Sequence, residues 1–359
     1  MATRDSSPSL SAPLDPDKAF IQSHGRLPRP LEHAAFDPFR RAVLKVPTWV
    51  SLLQPLCAVL LIPLRLLVAV VATLLSYLLV LVFGPPVTAR SVATFSATPL
   101  PAWRRAVCVF ATKLLARALL LGLGFWTVRG RDAPAYDHAA AQKATIVSNH
   151  SSLADPCLLA YLYAPAFVAK RKVYMIPGIG RVGAAQHAFY IDRLNGSGLS
   201  VTSKMVERQN LVRESQVPVP PVCVFPEGTT TNGQHLLKFR TGAFVGGGPV
   251  APVLIRYRYG WFSPTYETVR TPAYLLAILS QFANRVEYYR LPVYHPSAEE
   301  KEDPALYARN VHQLMLEKSE EAFGHALVHS ESNFVDKIEY HSLVWGRKLK
   351  PGFRLTNDR

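Results

Sequence analysis

At 359 residues the chain has ample length for a hydrophobic core, and 40 Lys and Arg against 25 Asp and Glu give it a net charge of +15. Such a balance suits an anionic partner: nucleic acid, an acidic membrane surface or a phosphorylated ligand. Four scattered cysteines, Cys57, Cys108, Cys157 and Cys223, exclude a disulfide framework, and the lack of a C-x-x-C pair excludes a recognisable zinc site.

Residues 1–45 are rich in Pro, Ser, Asp and Arg without hydrophobic periodicity and read as a disordered leader. Residues 52–83, "LLQPLCAVLLIPLRLLVAVVATLLSYLLVLVF", carry Arg65 as their only charge. One bilayer span needs roughly 20 apolar residues, so this run exceeds one span and falls short of two. Pro55, Pro63 and Arg65 crowd its first half, and basic residues flank both ends. A membrane helical hairpin or re-entrant segment over 46–86, with both ends cytosolic, is therefore expected, with a single span as the alternative. Residues 87–130 read as an amphipathic, membrane-associated linker, since Lys113 and Arg117 fall four apart on one helical face.

From about residue 131 to 342 the texture is that of an α/β domain, a mixed sheet flanked by helices. "ATIVSNH", "VPPVCVFPEG" and "PVAPVLIRY" read as buried strands, and "SSLADPCLLAYLY" as a helix. Asp303 followed by Pro304 marks the start of a late helix. Residues 343–359 form a basic tail.

His150 precedes Asp155 by five residues, which on one straight helix would put them on different faces. They meet only if His150 sits on the turn before the helix. Ser152 and Asp155 have the spacing of a capping box, which places the helix start at Ser152. Taken alone, the pattern also fits a capping carboxylate beside a strand-end histidine. "VFPEGTTTNG" places Glu227 at the head of a polar turn that ends a second strand, where ligand sites of α/β sheets collect. Lys170 and Arg193 are candidate phosphate clamps.

"NHSSLADP", "AFYIDR", "FPEGTTTN" and "VAPVLIRY", in that order, resemble the four blocks of the glycerolipid acyltransferase superfamily. "LLKFRTGAF" is similar to that family's F-K-x-G-A-F segment, with Arg240 in the usual lysine's place, and the stretch from Ser280 to Met315 resembles the lysophosphatidylcholine and lysophosphatidylethanolamine acyltransferases. The resemblance covers roughly residues 35–320 and implies acyl transfer from acyl-CoA, a co-substrate and not a cofactor, to the free hydroxyl of a lysophospholipid. It implies His150 as general base, Asp155 as its orienting partner, and Arg193, Glu227, Gly228 and Thr229 around the acceptor's glycerophosphate, with Glu227 orienting a donor group or the glycerol hydroxyls. Lysophosphatidate or glycerol-3-phosphate as acceptor is the nearest alternative, and a catalytically silent membrane lipid-binding protein is the alternative of another class. The resemblance further implies an endoplasmic reticulum membrane with the active domain facing the cytosol. No D-x-[DN]-x-[DN]-G calcium loop is present, so no metal is expected, and no basic-aromatic module calls for nucleic acid.

Overall fold

The computed structural model describes residues 30–41, 48–87, 100–191, 198–214, 219–259 and 262–345. A seven-stranded sheet organises the domain. Its strands are β1 (Phe125–Asp132), β2 (Thr145–Ser148), β3 (Ala166–Lys170), β4 (Phe189–Ile191), β5 (Val222–Val224), β7 (Val250–Arg258) and β8 (Asn284–Arg290). They lie in the order β1-β8-β7-β2-β5-β3-β4, parallel throughout except for the antiparallel β7/β8 pair. Parallel strands covered on both faces read as continuous apolar runs, which is why "TIVS" and "VAPVLI" sit wholly inside. A second, two-stranded sheet joins β6 (His235–Leu237) to β9 (Val328–Ser330).

Two cores flank the large sheet. One packs Leu158, Leu159 and Tyr163 of the Asp155–Tyr163 helix, with Tyr274 and Ile278, against Ile146, Val253, Ile255 and Tyr257. The other packs Tyr307, Val311 and Met315 of the Pro304–Phe323 helix against Val147, Val250 and Leu254. That helix begins where the sequence indicates: the Asp303 side chain accepts from the Ala305 and Leu306 N–H groups, and Gly324 closes it at φ 75°.

The long apolar run differs from the expected hairpin. Thr48–Phe83, here α1, is one continuous 36-residue helix containing both prolines, about 54 Å long at 1.5 Å per residue. Arg65 is no obstacle, because it turns away from the apolar face and is buried. It donates to the Leu279 carbonyl (2.5 Å) and the Phe282 carbonyl (3.0 Å), satisfying the C-terminal end of the Thr271–Ser280 helix. The α1 helix meets the rest of the protein along its length. Gln54 donates to Ser280 Oγ (3.0 Å), Thr73 fills the space beside Gly178, Val80 packs with Leu115 and Val182, and Arg104 donates to the Phe83 and Gly84 carbonyls. Its opposite face exposes Leu53, Leu56, Leu60, Leu64, Leu67, Val71, Leu74, Leu78 and Val82.

Within the expected linker, Ala102–Gly122 forms a helix, α2, packed on α1, residues 88–99 lie outside the described residues, and the sheet begins at Phe125, ahead of the expected boundary. Part of the expected disordered leader is ordered: Ala34–Phe39 forms a 3-10 helix with Phe36 and Phe39 buried, held because Asn232 donates to the Asp37 and Arg40 carbonyls. The last helix, Phe334–Trp345, runs into what the sequence gives to the basic tail, and Trp345 Nε1 donates to the Thr268 carbonyl.

Candidate active site

Strands β2 and β5 are parallel neighbours, so the loops that follow them leave the sheet at one edge. The first carries His150 and the second Phe225, Pro226 and Glu227. The helix after β2 starts at Asp155, three residues later than the capping-box spacing indicates. Half of that box is present, with the Ser152 N–H donating to Asp155 Oδ2 (2.8 Å); Ser152 Oγ accepts from the Ala154 N–H (3.1 Å), not from the Asp155 N–H, and donates to the Pro264 carbonyl.

The delayed start leaves residues 149–154 as a loop that curls around the Asp155 carboxylate. Asp155 is fully buried, and its Oδ2 accepts from the Ser151 N–H (2.7 Å), the Ser152 N–H and His150 Nδ1 (2.8 Å). Its Oδ1 accepts from the Tyr257 hydroxyl (2.5 Å). Burial and the adjacent carboxylate push the Tyr257 phenol well above its ordinary value, so it stays protonated and donates. A carboxylate with four donors around it is an acceptor only, so Nδ1 is the His150 nitrogen that donates to it and Nε2 is the one left to meet a reactant. Among the described residues Nε2 has no hydrogen-bond partner.

His150 is held by three further contacts. Its ring stacks on Phe225 with centroids 4.0 Å apart, its main-chain N–H donates to Glu227 Oε1 (2.6 Å), and its carbonyl accepts from the Thr231 N–H (3.0 Å). The histidine side chain is 19% exposed, enough for a reactant to reach one nitrogen.

Glu227 is placed differently from the sequence expectation. The residue is buried, and its second oxygen accepts from the Leu237 N–H (2.9 Å), so both oxygens are taken by main chain instead of facing an acceptor. A buried carboxylate needs such donors, and here it ties the His150 loop to β6. Burial pushes its carboxyl up to about 8 against the pull of the two N–H groups. Gly228 adopts φ 71°, and a Cβ there would come within 2.8 Å of Arg240 Nε, so the missing side chain is what lets Arg240 lie over the turn. Thr229 is buried in the same turn. Asn149, a glycosylation sequon by sequence, is buried and exchanges two hydrogen bonds with the Ile255 main chain, as a strand residue would.

Thus His150, Asp155, Glu227, Gly228, Thr229 and Arg240 converge at one edge. Lys170 ends β3, beyond β5; its side chain and Arg193 lie outside the described residues. Sequence reasoning missed Tyr257, Phe225 and Lys337. Lys337 Nζ donates to the Thr230 and Tyr266 carbonyls and to Thr230 Oγ1, fastening the last helix to the E-G-T-T turn. Strand alternation carried a signal for Tyr257, which shares a face with Val253 and Ile255.

Residues 127–256 match the Acyltransferase family model, an interval that holds nearly all of this edge. The chain is 35% identical over 268 residues to the lysophospholipid acyltransferase LPEAT1 of Arabidopsis thaliana, covering 68% of this chain and 65% of that protein. It is 34% identical over 226 residues to LPCAT4 of Homo sapiens, covering 61% of this chain and 41% of that protein. It therefore spans less than two thirds of the length of these relatives. A solved structure, the 1-acyl-sn-glycerophosphate acyltransferase PlsC from Thermotoga maritima, superposes with a TM-score of 0.42 at 17% identity, over 71% of this chain and 98% of that one. The loop that holds His150 against Asp155 thus falls inside a matched segment, and the chain carries an acyltransferase-family domain over residues 127–256.

Proposed function

We propose that the protein transfers a fatty acyl group from acyl-CoA to the free hydroxyl of a lysophospholipid with a choline or ethanolamine headgroup. The observation that carries this reading is the contact at His150: Nδ1 lies 2.8 Å from a buried carboxylate oxygen, and Nε2 has no partner among the described residues. A hydroxyl is a poor nucleophile at neutral pH. As it attacks the thioester carbonyl, Nε2 takes its proton, and the Asp155 carboxylate stabilises the imidazolium that forms. Collapse of the tetrahedral intermediate breaks the C–S bond, and the departing thiolate recovers the proton from His150. The products are the ester and free CoA, with no enzyme nucleophile required. The stack on Phe225 and the strap from Glu227 hold the base still, so that little orientation is lost on reaching the transition state. Arg240 over Gly228 supplies positive charge at the turn that follows Glu227, suited to the phosphate of the acceptor.

Both substrates carry acyl chains, and the exposed stripe of α1 gives the protein a way to stay at their membrane. An extended contact with the domain, from Gln54 to Gly84, fits a helix lying along the bilayer surface with its leucine stripe inward better than one crossing the ~30 Å hydrocarbon core. The proposal extends to the cytosolic face of the endoplasmic reticulum, as the family resemblance of the sequence blocks implies.

The test is transfer of a labelled acyl group from acyl-CoA to a panel of lysophosphatidylethanolamine, lysophosphatidylcholine, lysophosphatidate and glycerol-3-phosphate, for the wild type and His150→Ala. Product with a headgroup-bearing acceptor, abolished in the variant, supports the reading. Preference for lysophosphatidate or glycerol-3-phosphate overturns the acceptor, near-normal turnover in His150→Ala overturns the mechanism, and no transfer by the wild type favours a silent lipid-binding protein.

A further inference from the structure

We propose that a cavity at the carboxyl end of β7, separate from the open face of His150, is a binding site for a phosphoryl group. The cavity measures about 320 Å³, and its walls include Ser151, Gly233, Arg256, Arg258, Thr265 and His325. His150 does not line it. Ser151 and Tyr257 do, and both hydrogen-bond Asp155 on their inner side, so this space adjoins the dyad from the β7 direction while the imidazole leans toward β5.

Charge, buried polar atoms without partners and the space left at Gly233 agree on the ligand. Two arginines face the cavity and no carboxylate lines it. Among the described residues each guanidinium is oriented by one hydrogen-bonding partner, Arg256 by the Phe323 carbonyl (2.6 Å) and Arg258 by Glu287 (2.8 Å), and further N–H donors of each fork suit an anion. Ser151 is only 1% exposed, yet its hydroxyl has no hydrogen-bond partner among the described residues, and neither has the buried Nδ1 of His325. Buried polar atoms are rarely left so without a ligand to take them up. Gly233 stands at φ 77°, and a Cβ there would sit 3.3 Å from Thr265 Cγ2 and 3.7 Å from Ser151 Oγ. Any other residue would narrow the space at the orphaned hydroxyl. A phosphoryl group, with acceptor oxygens pointing several ways, matches donors converging from β7, the His150 loop and the turn after the Pro304–Phe323 helix.

Such a group can come from the nucleotide end of a thioester donor, from a lipid headgroup or from free phosphate. The site is argued from its own lining and stands whether or not the chain transfers acyl groups. The test is isothermal titration of the full chain in detergent micelles, at constant ionic strength, with adenosine 3′,5′-bisphosphate, sn-glycerol 3-phosphate and inorganic phosphate. One-to-one binding is expected for at least one of them, retained in His150→Ala and weakened about tenfold or more in Arg258→Met. The tightest probe names the source: the bisphosphate a nucleotide, glycerol phosphate a lipid headgroup, and phosphate a free ion. Where Arg258→Met does not fold, Ser151→Ala decides, because it removes a hydroxyl with no partner and keeps the main-chain bond to Asp155. Absence of saturable binding by all three probes, or wild-type affinity in the deciding variant, overturns the proposal.

Discussion

Replacing Asp155 by Asn tests the proposed mechanism without emptying the site. With the amide oxygen in the Oδ2 position, the Ser151, Ser152 and His150 donors keep their acceptor, and the new NH2 faces the Tyr257 hydroxyl, which can turn to accept it. Geometry is retained and the charge is lost. At an effective dielectric near 20, unit charges 2.8 Å apart attract by about 6 kcal/mol. The imidazole is partly exposed, so water recovers a share, and about 3–5 kcal/mol of imidazolium stabilisation disappears in the transition state. At 1.36 kcal/mol per factor of ten, kcat falls roughly 10²- to 10⁴-fold. The KM for both substrates stays near wild type, because the carboxylate is fully buried and touches neither. The assay is initial-rate acyl transfer over a range of each substrate, with circular dichroism and thermal melting to show that the variant is folded. A folded Asp155→Asn protein retaining more than a third of wild-type kcat would refute the role given to this pair.

Glu227 makes a pH prediction. Its folded value of about 8 lies above the ordinary 4.5, so between these the folded state holds more protons than the unfolded one; stability is greatest at the acid end and falls as pH rises through the window. Glu227→Gln, which cannot ionise, flattens that slope in thermal melts taken from pH 5 to 8, and an unchanged slope contradicts the assignment. Gly228→Ala strains a φ of 71° and pushes the Arg240 side chain off the turn, so the KM for the phospholipid acceptor rises severalfold while the protein stays folded; an unaltered KM would separate Arg240 from acceptor binding. Arg65→Leu leaves the Leu279 carbonyl without its side-chain donor at a buried helix end and the Phe282 carbonyl with Trp126 Nε1 alone, at a cost of about 1–3 kcal/mol. Its midpoint in detergent-solubilised melts drops accordingly, and a gain in stability would mean that α1 is not fastened to the domain there.

What could be read from the sequence, and what could not, divides along the distance between partners in the chain. The His150–Asp155 pair was legible because five residues of loop between a buried strand and a helix start leave few ways to arrange two polar side chains. Asp303 was legible for the same reason, since a cap acts on its own helix. Glu227 was not. Its role depends on β5 lying beside β2 and on β6 returning beneath the turn, and strand order is not written in the run of residues that forms each strand. Arg65 failed for a related reason. In an apolar run a lone arginine and two prolines look like the bend of a hairpin, but the carbonyls that accept from Arg65 lie more than 200 residues away, at the end of a helix that must already be packed against α1. The same dependence joins the two parts of the molecule. The helix that receives Arg65 also supplies Tyr274, whose hydroxyl reaches Ser152 Oγ and the Pro264 carbonyl at the back of the Asp155 loop. Displacing α1 therefore acts on the loop that holds the proposed base through one intervening helix, so the anchoring run belongs to the support of the site as well as to its attachment.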